Sequence, residues 1–265
     1  MTDISENPRK HGQPPYNVAV VHGGPGWAGE MAPVARELAP KWGVLEPFQT
    51  ANSLEGQVQE LHAQLQQGSV PVTLIGFSWG AMLSIVFTAR YPADVRKLIL
   101  VSTGALTERQ AATALEARRM RLTEKDRQEA RALHDQINNA AGQDVTEARN
   151  RLTAIFDKTE LVEEIDEDVY ADIPFQVDMA RAMAKDVTEL RRTSQLIRFA
   201  ETITCPVVAV HGDYDPLPAD ALRVSLSKGV KDFRLVILAR CGHIPWIEKH
   251  ARDKFFEVLN TELAT

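Results

Sequence analysis

Short apolar runs recur along the chain and are mostly not alternating. They are Asn17–His22, Val72–Phe77, Arg96–Ser102, Pro206–His211 and Phe233–Ala239, with a weaker sixth at Val44–Gln49. Runs rich in Val, Ile and Leu suit strands covered on both faces of a parallel sheet. Between them apolar residues return every three or four positions, as in Met31, Val34, Ala35 and Leu38, in Val58, Leu61 and Leu65, and in Met82, Leu83, Val86 and Phe87. That spacing predicts helices with one buried face. Strand and helix in alternation specify an α/β fold, a doubly wound and mostly parallel sheet of about six strands with right-handed crossovers. Pro47 falls inside the weak run, which predicts an edge position for it, because proline cannot donate to a ladder on both sides. The uncovered edge would then be met by the N-terminal segment or by another subunit, the latter making a homo-oligomer.

The alternation stops over residues 105–200, which carry Ala, Arg and Glu at helical spacing and no strand pattern. Helix starts are expected at Thr107, with Gln110 three residues on, and at Thr123, with Asp126 three residues on. The chain thus divides into an α/β core, 1–104 with 201–265, and a helical insertion at 105–200. Arg118, Arg119, Arg121, Lys125, Arg127 and Arg131 are interleaved with acids and predict a solvated helix face. Phe175, Met179 and Met183 at helical spacing predict core packing.

Composition narrows the classes. The chain has 265 residues, 44% hydrophobic and 25% charged, with a net charge of −6, which argues against nucleic acid or an anionic membrane surface as the main partner. No stretch is apolar for long enough to span a bilayer, and the N-terminal segment has no apolar run of the secretory kind, so a cytoplasmic location is expected. Cys205 precedes one strand and Cys241 follows its neighbour, roughly 20 Å apart at about 3.3 Å per residue, so both are expected to be free thiols.

Chemistry concentrates at the C-terminal ends of the predicted strands. Gly76-Phe77-Ser78-Trp79-Gly80 places Ser78 where a buried strand turns sharply into a helix, with glycines two residues to either side to avoid collision. The helix start aims backbone N–H groups, that of Trp79 among them, at a developing oxyanion. A serine needs a base. Of the seven histidines, His243 follows the last strand in Cys241-Gly242-His243-Ile244-Pro245-Trp246 and is the strongest candidate. The matching acid falls in Gly212-Asp213-Tyr214-Asp215, where Asp215, further out on the loop, is favoured and Asp213 reads as a turn residue. His22 begins a glycine-rich turn and reads as holding that loop. Trp27, Phe77 and Ile244 are the expected substrate-lining residues.

HGGPGW, GFSWGA, HGDYDPLP and CGHIPWIE, in this order, resemble the α/β-hydrolase superfamily from about Tyr16 to the end of the chain. The resemblance implies Ser78 as nucleophile, Asp215 as acid, His243 as base and the N–H groups of Gly24 and Trp79 as oxyanion donors. It places a cap at 105–200 and implies that the leading hairpin is missing. It needs no cofactor and no metal, and its partner is a small acyl substrate. HGGPG with G-x-S-W-G is most similar to the proline-iminopeptidase-like branch, in which cap acids bind the substrate amine. The stretch Glu160, Glu163, Glu164, Asp166, Glu167, Asp168, Asp172 lies in the inserted region, and a run this dense predicts a solvated face. Phe77 stands where that branch carries a second glycine. An ester, lactone or amide hydrolase of small molecules is therefore the first expectation, an aminopeptidase the second, and a non-catalytic binding protein the third.

Overall fold

The computed structural model describes residues 6–139, 145–165, 173 and 175–265. Its strands are β1 (Arg9–His11), β2 (Tyr16–Val21), β3 (Gly43–Glu46), β4 (Val72–Phe77), β5 (Val95–Val101), β6 (Val207–Gly212) and β7 (Phe233–Leu238). They form one seven-stranded sheet in the order β1-β3-β2-β4-β5-β6-β7, parallel throughout except that β1 runs antiparallel to β3.

The described helices are α1 (Ala32–Leu38), α2 (Leu54–Leu65), α3 (Trp79–Arg90), α4 (Glu108–Arg121), α5 (Glu124–Asn139), α6 (Thr146–Glu160), α7 (Val177–Arg192), α8 (Gln195–Ala200), α9 (Ala219–Leu226) and α10 (Arg252–Leu263). Thr107 caps α4 by accepting the Gln110 N–H, and Thr123 does the same for Asp126 at α5. Both starts lie where the sequence pattern puts them.

Alternate strand residues face opposite layers, which is why the runs are continuously apolar. Ala19, Val21, Leu74, Leu98, Leu100 and Ala209 pack with residues of α2, α3, α8 and α9. Val18, Val20, Ile75, Ile99, Val101 and Val210 pack with residues of α1 and α10. Met179 and Met183 of α7 join the first layer, as their spacing predicts.

Two expectations fail at the sheet edge. The sheet has seven strands and not six, and Pro47 is not in the edge strand. β3 stops at Glu46, one residue before Pro47, so the proline never has to donate to a ladder. The edge is taken by β1, whose Arg9-Lys10-His11 carries no apolar run. Its partner is the buried Glu46, which accepts from Arg9 Nε at 2.8 Å and pairs with His11 Nε2 at 2.7 Å. A short, charged edge strand also discourages pairing with other chains.

Helices α4 to α8 fall between β5 and β6. Within them Leu122, Leu133, Ala148 and Ile155 of the α4–α6 region form a small cluster of their own. Among the described residues no helix is long and apolar enough to cross a membrane. Cys205 and Cys241 are free thiols.

Candidate active site

Ser78 sits between β4 and α3 with φ of 50° and ψ of −109°, a left-handed conformation costly for a residue with a side chain. The turn persists because nothing larger than glycine fits on either side. A Cβ on Gly76 would lie 2.5 Å from Gly80 O, and one on Gly80 would lie 2.3 Å from Val21 O. The second contact is with the end of the neighbouring strand β2, so Gly80 also lets α3 settle against the sheet. The Ser78 N–H donates to Val101 O at 3.0 Å and ties the turn to β5.

His243 and Asp215 meet this serine from the ends of β7 and β6. His243 Nδ1 donates to Asp215 Oδ2 at 2.6 Å, and Nε2 lies 3.1 Å from Ser78 Oγ. A carboxylate only accepts, so the proton belongs on Nδ1 and Nε2 is left to accept from the serine hydroxyl. Burial raises the Asp215 pKa, but the charges of His243 and His211, with hydrogen bonds from His243 and the Leu217 N–H, bring it down to about 2. Burial likewise opposes the charged form of His243, yet the charge and hydrogen bond of Asp215, with the charge of Glu160, together outweigh it and the histidine titrates above its ordinary 6.5. Asp213 does not face His243. It accepts the Cys241 N–H at 3.2 Å and fastens β6 to the start of the histidine loop.

The loop after β2 is pinned by His22, whose Nε2 accepts the Gln49 N–H at 3.0 Å while Nδ1 donates to Gly23 O at 3.0 Å. Burial lowers its pKa to about 4, so it is a neutral strut.

Two cavities meet at Ser78. The first, of about 260 Å³, is lined by Trp27, Phe77 and Ile244 and also by Glu30, Phe156, Asp157, Glu160 and Trp246. The second, of about 220 Å³, is lined by Thr103, Ala105, Arg191 and Leu217 among others. Gly24, Ser78, Arg118 and His243 border both. Trp79 contributes its position to the second, while its indole N–H turns inward and donates to Gln57 Oε1 at 3.0 Å. Phe175 stacks edge-on against Trp27 with centroids 4.9 Å apart.

Glu30 and Asp157 carry no prior expectation. Glu30 accepts the Gly23 N–H at 3.0 Å, and enclosure raises its pKa to about 7. Asp157 is raised to about 7 by burial and by the nearby Glu160 and Glu164. Arg118 donates from Nε to Glu160 Oε1 at 2.7 Å, and Arg121 donates to the carbonyls of Thr159 and Tyr214 at 2.6 and 2.8 Å. These two arginines correct the expectation of a wholly solvated face, although Arg119 and Arg127 do pair with acids three residues away on their own helices. Of the acid run, Glu160 lines the first cavity and Glu163 pairs with Lys249 and His250 at the surface, whereas Asp166, Glu167, Asp168 and Asp172 lie outside the described residues.

Glu248 is fully buried and joins the two sides of the cavity. Its carboxyl oxygens accept the N–H groups of Gly242 at 2.7 Å, Val162 at 3.0 Å and Glu163 at 3.1 Å. The His243 N–H donates to Glu160 O at 2.7 Å, and the Ile165 N–H to Ile247 O at 2.9 Å. The segment after α6 is therefore laid directly along the histidine loop.

The fold has many solved counterparts. VinJ shares 20% identity with a TM-score of 0.69, covering 97% of this chain and 93% of its own. The esterase EaEST of Exiguobacterium antarcticum shares 16% identity, also with a TM-score of 0.69, covering 97% of this chain and 94% of its own. The proline iminopeptidase of Mycobacterium smegmatis shares 21% identity with a TM-score of 0.62, covering 96% and 91%. At these identities the likeness is one of fold. No curated protein sequence matches the chain. A family model described as serine aminopeptidase, S33, matches residues 49–250, which include Ser78, Asp215 and His243. The chain is an α/β-hydrolase and belongs to that family.

Proposed function

We propose that the protein is a serine hydrolase that cleaves an ester, lactone or amide bond of a small molecule through an acyl-enzyme on Ser78. The observation that carries this reading is the hydrogen-bonded relay from Ser78 Oγ through His243 to Asp215, placed where two cavities meet. His243 Nε2 takes the serine proton as Oγ attacks the carbonyl carbon, and Asp215 stabilises the imidazolium that forms. The N–H groups of Gly24 and Trp79 receive the oxyanion. His243 then protonates the leaving group, and water, deprotonated by the same base, releases the acid and restores the serine. Residues 105–200 act as the cap over this chemistry, with Trp27, Phe77 and Ile244 against the substrate. The mechanism requires no cofactor.

A second reading, an aminopeptidase, draws support from the carboxyl groups of Glu30, Asp157 and Glu160 on the first cavity wall, where a substrate ammonium would find acceptors. A fluorophosphonate probe is expected to label the wild type and not Ser78→Ala. An unlabelled wild type would sink the serine mechanism and leave a binding protein. Release of proline from a proline arylamide would favour the aminopeptidase, and inertness there beside turnover of simple esters would remove it.

A further inference from the structure

The second cavity differs from the first in charge. Its wall carries Arg118 and Arg191, and the one carboxyl group among its described lining residues is that of Asp215. Both Asp215 oxygens are already occupied, Oδ2 by His243 and Oδ1 by the Leu217 N–H. Arg118 is likewise engaged, by Glu160. Arg191 is not. Its Nε donates to Ala105 O at 3.0 Å, which fixes the plane of the guanidinium, and neither Nη group has a partner among the described residues. Enclosure, and then the neighbouring positive charge of Arg118, lower its pKa from the usual arginine value, but it stays charged near neutrality.

A partly buried guanidinium that lies near another cation and has no ion pair of its own among the described residues is costly unless something else completes it. The same wall holds a second incomplete group. Thr103 is fully buried, lines this cavity, and its Oγ1 has no hydrogen-bond partner. A planar fork of two N–H donors, with a hydroxyl donor in the lining of the same cavity, matches the two oxygens of a carboxylate.

We propose that the second cavity is a subsite for a carboxylate carried by the substrate, held by the Nη groups of Arg191 and the hydroxyl of Thr103 with Arg118 at its margin. The assignment rests on the hydrolase reading, because the cavity opens at Ser78 and the anion would lie on the acyl or leaving group next to the scissile bond. It narrows the substrate class to anionic esters or amides, such as half-esters of dicarboxylic acids. A net charge of −6 would otherwise disfavour these.

Binding is tested apart from turnover by calorimetric titration of the Ser78→Ala protein with hexanoate and with hexanamide, which match in length and differ in charge. Hexanoate is expected to bind at least about tenfold more tightly, the yield of one desolvated charge-assisted pair. Adding Arg191→Gln should erase that difference, Arg191→Lys should keep part of it, and Thr103→Val should weaken hexanoate alone. In the serine-containing protein, kcat/KM for p-nitrophenyl adipate monoester should fall with Arg191→Gln by about ten times more than for p-nitrophenyl hexanoate. Equal affinity for acid and amide, or equal losses on both esters, overturns the subsite. Carboxylate binding without fluorophosphonate labelling would sink the hydrolase reading and with it the catalytic role of the anion. Labelling without carboxylate preference would sink the subsite alone.

Discussion

The two walls of the active-site cavity are built by different physics. The sheet side consists of strand ends whose positions follow from backbone ladders and two continuous apolar layers. The α4–α6 side has a core of only a few side chains, Leu122, Leu133, Ala148 and Ile155, and is secured largely by Arg118, Arg121 and Glu248. The first wall holds Ser78, Asp215 and His243 in one geometry. The second can be rewritten by exchanging a few polar residues without touching the sheet. On the proposed reading, chemistry falls to the sheet side and selectivity to the helical side.

The largest effect should come from the rigid side. Asp215→Asn is expected to cut kcat by about 10⁴, because an amide in place of the carboxylate no longer fixes the tautomer of His243. Asp213→Asn should change it only a few-fold, since its contact is a backbone N–H that an amide oxygen still accepts. If Asp213→Asn alone abolishes esterase activity, the acid is misassigned. The pH profile gives a second readout. His243 must be neutral to act as base, so kcat/KM should rise with pH along a limb centred above 6.5. Asp215→Asn should move that limb to lower pH, because both contributions of Asp215 are lost and burial is then opposed only by the charge of Glu160. Glu30, raised to about 7 in the same cavity, titrates nearby, and Glu30→Gln separates its contribution. Stability follows the opposite sign for the histidine. Its raised pKa stabilises the fold below about 6.5, a gain lost as pH rises through the folded value, whereas that of Asp215 holds above about 3.8 and fades as pH falls towards 2.

The same division explains what the sequence reveals. Ser78, Asp215 and His243 are legible because each follows an apolar run, and Ser78 also sits between glycines that only a tight turn requires. The seventh strand is not, because β1 is three polar residues whose pairing is decided by a buried glutamate 35 positions away from His11. Pro47 misleads for a related reason, since the apolar run continues past the end of the ladder into Phe48, which is buried without being in a strand. On α4, arginine and glutamate at helical spacing describe a solvated face equally well whether or not an arginine reaches elsewhere. Arg118 finds Glu160 at a separation of 42 residues, which no local pattern encodes. Glu30 and Glu248 likewise acquire roles only through N–H groups brought to them by the fold.

Glu248 tests whether the two walls are mechanically joined. Glu248→Ala removes the acceptor of three N–H groups, the buried one of Gly242 and the partly buried ones of Val162 and Glu163. A loss of about 3 kcal/mol in urea-unfolding stability is expected, at unchanged m-value. Because Gly242 adjoins His243, kcat/KM should also fall by about 10- to 100-fold. A stability loss with full activity would mean that the histidine loop keeps its shape without the adjustable wall.

The smallest effect separates arginines two positions apart on α4. Arg119 pairs with Glu116 on its own helix, and both side chains are more than half exposed. Such a pair contributes little and is screened by salt, so Arg119→Ala should leave the melting temperature where it is. Arg121 instead donates to Thr159 O and Tyr214 O and lies over the Tyr214 ring at 3.8 Å from its centroid. It ties the end of α6 to the loop that carries Asp215. Arg121→Ala should therefore cost about 1–2 kcal/mol and lower activity a few-fold, both insensitive to added salt. Equal, salt-sensitive losses at the two positions would return both residues to the solvated face and make the inserted helices independent of the Asp215 loop.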